Sequence, residues 1–220
     1  MRRESSTVVA LVGAVGDDLL AGLARSANIS LARGPAPGAD QAAGNGSAGQ
    51  GLAGPPAAPR PGWEAGARAM REAARRRATY VLVPDDPLAG VAAGWQDMWD
   101  VAAGPAGTAE FEDRAAAALA AWRGQQFELP DYYLVVAPAQ GQASRPDLYL
   151  GPLRAARPRR VLVASIAGRA SQGAWLLDTL RSLEHGPWWP PLDELLETAR
   201  RFYAGGLAET QSVSPPSPSG

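Results

Sequence analysis

The chain reads as an α/β protein, a small three-layer Rossmann-like or flavodoxin-like sandwich with about four parallel strands and flanking helices. Short, β-branched, apolar runs alternate with longer stretches of helical period, the pattern of repeated βαβ units. Those runs are continuously apolar instead of alternating in and out, so both faces of the sheet must be covered, as parallel sheets require.

The first strand is Thr7 to Val12, closed by Gly13. A helix follows from about Asp17, with Leu19, Leu20, Leu23 and Ala27 on one face. Residues 33–62 are almost entirely small or polar and cannot bury enough apolar surface to offset the entropy of ordering, so they are expected to be a disordered insert. Trp63 to Arg77 returns as a helix, with Trp63, Ala67, Met70 and Ala74 at helical spacing. The second strand is Thr79 to Val83. After it, Asp85-Asp86-Pro87 looks like a helix start, since Asp caps free amides and Pro suits the first helical turn.

That helix carries Leu88, Val91, Trp95, Met98, Trp99 and Ala102 on one stripe. Another is expected from about Thr108 to Arg123, after a break at Gly104-Pro105. The third strand is Tyr132 to Ala137, a short helix covers about 147–156, and the fourth strand is Arg160 to Ala164. Two more helices are expected at about 173–183 and 192–204, the last stopped by Gly205-Gly206. The expected organisation is one domain built from 1–32 and 63–207, with a disordered tail at 208–220.

Composition removes many chemistries. The net charge of −1 lacks the basic excess of a dedicated nucleic-acid or anionic-membrane binder. Lysine is missing altogether, which excludes a phosphate-loop lysine and Schiff-base catalysis. The chain has no Cys, hence no disulfide and no thiolate nucleophile, and its one His, His185, sits at a helix end where a cation or donor suits the macrodipole. No run reaches the ~18–20 apolar residues of a membrane helix. The apolar stretch from Thr7 to Gly16 imitates a signal peptide, yet Asp17-Asp18 interrupts it, so a cytoplasmic location is expected. Gly44 to Gly49 spells the dinucleotide fingerprint letter for letter, but inside the insert, where no strand or helix gives it meaning.

Three groups of candidate site residues remain. Ligands of parallel sheets bind outside the strand carboxyl ends. Asp17, Asp18, Asp85 and Asp86 would meet on that rim and could hold Mg²⁺, with Gly13, Gly16 and Ser165 admitting a phosphate. Helix capping explains the same Asp residues without any ligand. At the opposite edge, Arg2-Arg3, Arg75-Arg76-Arg77 and Arg159-Arg160 each precede a strand, a basic rim for an acidic or phosphorylated partner, although Glu128 and Asp131 before the third strand break the pattern. Last-turn arginines that complement a helix dipole are the plainer account. Finally, Trp188-Trp189, flanked by Pro187 and by Pro190-Pro191, forms either an exposed aromatic anchor or a wedge that closes a helix corner.

The leading expectation is a non-catalytic protein-interaction or regulatory module with no cofactor, acting through the Arg rim or the Trp188-Trp189 loop. The alternative is a Mg-dependent binder or enzyme for a phosphorylated small molecule at the strand carboxyl ends.

Overall fold

The computed structural model describes residues 6–13, 15–25, 28–32, 63–100, 102, 104–137, 147–165, 172–184 and 187–212. The insert at 33–62, Arg2-Arg3, the segment after the third predicted strand and His185 lie outside them.

In chain order the elements are β1 (Thr7–Gly13), α1 (Asp17–Ala24), β2 (Ile29–Leu31), α2 (Trp63–Arg75), β3 (Tyr80–Val83), α3 (Ala89–Met98) and α4 (Gly104–Arg123). There follow β4 (Tyr132–Ala137), a π-helical turn π1 (Tyr149–Leu153), α5 (Arg154–Ala156), β5 (Val161–Ser165), α6 (Gln172–Arg181) and α7 (Leu192–Ser212). The five strands form one all-parallel sheet in the order β2-β3-β1-β4-β5. This differs from both the 3-2-1-4-5 order of the dinucleotide-binding fold and the 2-1-3-4-5 order of flavodoxin.

Side chains alternate strictly across the sheet. Val9, Leu11, Leu82, Leu134 and Val136 pack under α1 and α6, together with Leu20, Leu23, Leu176 and Leu180. On the other face Ala10, Tyr133, Val135 and Val161 meet α3, α4, π1 and α7 in the largest core. Val8, Val81 and Val83 continue that face beneath α2. Every central strand is therefore buried on both sides, which is why its sequence shows no period of two. Trp95 is fully buried in the larger core and makes edge-to-face contacts with Trp99 and Phe111.

Where the sequence reading and the structure part, the causes are local. The fifth strand, β2, is only three residues long and lies at the sheet edge, too short to register as a β-branched run. α4 starts at Gly104 and not at Thr108, because a proline in a first turn withholds an amide that no helical carbonyl needs. α7 continues through Gly205-Gly206 to Ser212, beyond the expected domain end. Gly206 is there for close approach: a Cβ would stand 2.6 Å from the Trp99 ring.

Candidate functional site

The carboxyl rim of the sheet has a switch point between β1 and β4. The chain leaves β1 toward β2 on one side, and leaves β4 toward β5 on the other. Gly13 closes β1 there with φ +106, and a Cβ on it would come within 2.5 Å of the Val136 carbonyl oxygen. Close packing against β4 thus accounts for this glycine. Gly16 is the exposed N-cap residue of α1, with no side-chain cap, and Asp17 and Asp18 are the first two residues of that helix. Ser165 ends β5 opposite Ala137. The side chains of Asp17, Asp18 and Ser165 lie outside the described residues. Among the described residues no group of three or more His, Cys, Asp or Glu is placed to hold a metal ion.

Asp85 is half-buried at the end of β3, whereas Asp86 turns into the core, only 5% exposed. Asp86 is not the N-cap residue of α3, a position held by Leu88 without a side-chain cap, although the Leu88 amide bears on its carboxylate. The Tyr149 hydroxyl, from π1, donates to Asp86 Oδ2 at 2.5 Å. Asp86 Oδ1 and the Tyr133 hydroxyl are sealed from solvent and make no well-formed hydrogen bond among the described residues. Burial pushes the Asp86 carboxyl up to about 6, partly opposed by Tyr149, the Leu88 amide and Tyr133, all of which favour its charged form. The hydroxyls of Tyr133 and Tyr149 are pushed well above the ordinary tyrosine range, first by burial and then by the Asp86 charge. α2 closes over this cluster at Gly66, where a Cβ would lie 2.1 Å from the Pro87 nitrogen.

The amino edge is organised around Arg160, which is 6% exposed. Its Nε donates to the Pro187 carbonyl at 2.7 Å and its Nη1 to the Asp131 carbonyl at 2.8 Å. The guanidinium also stacks between two rings, 4.5 Å from the centre of Trp188 and 5.2 Å from that of Tyr132. Arg157 Nε donates to the Trp188 carbonyl at 2.6 Å. Trp189 is buried, its indole N–H donating to the Pro130 carbonyl at 2.8 Å and its ring standing edge-on to Tyr133. Trp188 is the member left outside, 54% exposed.

The structure divides the tryptophan pair: Trp189 wedges the corner and Trp188 projects into solvent. Of the arginines, Arg160 serves the interior. Arg75, Arg76, Arg77 and Arg159 stay exposed. Arg75 and Arg76 pair with Glu72, and Arg159 pairs with Glu184 at 3.2 Å. Asp131, the acid before β4, is turned to internal use as well, since its Oδ2 accepts the Val8 amide at 2.5 Å and closes the β1–β4 edge.

Sequence reasoning missed Tyr133, Tyr149 and the inward turn of Asp86. A signal existed for Tyr133: a phenol in a strand buried on both faces needs a polar partner within the core. Comparison with known proteins finds no matching family, no curated relative and no matching solved structure. Among the described residues no helix is long and apolar enough to cross a membrane.

Proposed function

We propose that this protein is a non-catalytic interaction module that engages a protein partner through Trp188 at the amino edge of its sheet. One observation carries the reading. Trp188 is more than half exposed, yet its ring and backbone are fixed by Arg160 and Arg157. An exposed indole held in one orientation loses little conformational freedom on binding, and so keeps more of the free energy of covering it. Trp and Arg are also the side chains on which interface energy concentrates.

Arg159, Arg75, Arg76 and Arg77 are exposed at the amino edge, which supports a partner bearing carboxylates. Arg160 and Trp189 belong to the support and not to the contact. A cytoplasmic location goes with this reading, supported by the acidic interruption of the first apolar stretch at Asp17-Asp18.

The test is a binding comparison. Partners are captured on wild-type protein, purified, and titrated against wild type and Trp188→Ala. A loss of at least about tenfold in affinity, roughly 1.4 kcal/mol, is expected. Equal affinity would remove Trp188 from the contact.

A further inference from the structure

The buried cluster at the end of β3 lies outside the proposed contact surface and points to a second property. We propose that Asp86, Tyr133 and Tyr149 form a protonation-controlled latch that ties the carboxyl end of β3 to π1.

One carboxyl and two phenols share a dry site, and only one hydrogen bond of good geometry joins them, from Tyr149 to Asp86 Oδ2. Adding a proton to Asp86 gives the trio a third donor beside the two phenol hydroxyls and removes a buried net charge. Losing that proton to solvent leaves a carboxylate facing two hydroxyls with no cation among the groups that act on it.

The ionisable groups that surround the cluster among the described residues come from several elements. β4 contributes Tyr133, and π1 contributes Tyr149, itself influenced by Asp147. The only charged residue of α3, Asp97, is exposed and pairs with Arg114. On α2, which covers Asp86 at Gly66, the neighbouring charged residues are Glu64 and Arg68, and Asp85 adjoins on the same loop.

The element being latched has its own reach. Tyr149 belongs to a π-helical turn, a rare geometry frequent at functional sites. Gly151 of that turn presses on Phe202 of α7, where a Cβ would be 3.2 Å from the ring. Loosening π1 thus transmits to α7.

The direction of the pH effect follows from linkage. The folded carboxyl is raised from 3.8 to about 6, so its stabilising proton is fully in place below the lower value and lost as pH rises through the higher one. Across that whole interval the opening equilibrium changes on the order of a hundredfold, of which about tenfold falls between pH 5 and pH 8.

The experiment is ¹³C NMR of the Asp86 carboxyl in the full chain, together with amide exchange of residues 149–153 corrected for intrinsic rates. A carboxyl midpoint near 6 is expected, with π1 amides opening about tenfold more readily at pH 8 than at pH 5. Asp86→Asn should abolish that pH dependence. Tyr149→Phe, which removes a donor to the ionised carboxyl, should move the midpoint upward. A midpoint in the ordinary carboxylate range, π1 exchange that ignores pH, or the same pH dependence in Asp86→Asn would overturn the latch. If Asp86→Asn fails to fold, the direction of the Tyr149→Phe shift decides the matter.

Discussion

Replacing Arg160 with alanine should be the most damaging single change at the amino edge, although the residue lies in a loop between α5 and β5. The side chain is 6% exposed and supplies two hydrogen bonds, to the Pro187 and Asp131 carbonyls, at 2.7 and 2.8 Å. Hydrogen bonds from a charged donor contribute about 1.5–3 kcal/mol each, and a cation over a ring adds about 0.5–2 kcal/mol. Summing them overshoots, because the guanidinium has itself been taken out of water. A net loss of about 2–4 kcal/mol remains, within the range for breaking a buried network. Urea unfolding followed by far-ultraviolet circular dichroism measures it. Arg160→Lys should recover only part, since an ammonium cannot reach both carbonyls while stacking between Tyr132 and Trp188. A loss below about 0.5 kcal/mol for Arg160→Ala, the range of an ordinary surface change, would refute the idea that Arg160 holds the Trp188 loop.

Glycine substitutions separate close packing from chain flexibility. Gly66→Ala places a Cβ 2.1 Å from the Pro87 nitrogen and 2.4 Å from the Asp86 carbonyl carbon, backbone atoms that cannot swing aside. It should cost 3 kcal/mol or more by the same urea assay, roughly the upper end for overpacking. Gly205→Ala has nothing within 4 Å of the new Cβ and should stabilise α7 by about 0.5–1 kcal/mol, whereas neighbouring Gly206→Ala meets the Trp99 ring and should destabilise. The fork between Arg200 and Glu112 holds the Glu112 carboxyl below its ordinary range, chiefly through the Arg200 hydrogen bonds. Its stabilisation is present above the unfolded value and lost as pH falls through the folded one. Because both side chains are two-fifths exposed, Arg200→Gln should cost under about 1 kcal/mol, less still at high salt.

Legibility in the sequence followed how local each cause was. Val8 to Val12 and Leu134 to Val136 announced parallel strands because both of their faces are covered. Trp95 and Phe111 lie in the core as helical spacing implies. Ile29–Leu31 was hidden because three residues at an edge carry almost no pattern. Strand order was unreadable because connections, not composition, set it. Asp86 looked like a cap since Asp before Pro usually is one. Only the arrival of π1 from more than sixty residues away reveals that Tyr149 takes its carboxyl. Likewise nothing local distinguishes Trp188 from Trp189. Their fates are divided by Arg160 on one side and the Pro130 carbonyl on the other.

The decisive measurement is the affinity of the purified partner for wild-type protein and for Trp188→Ala, determined by calorimetry beside a urea unfolding curve for each. The half-exposed ring should contribute less than about 1 kcal/mol to folding, as expected of a cation–π contact at the surface. Its removal should nevertheless weaken binding at least about tenfold. Undiminished affinity in a variant that folds as well as wild type would contradict the assignment of the amino edge as the contact surface.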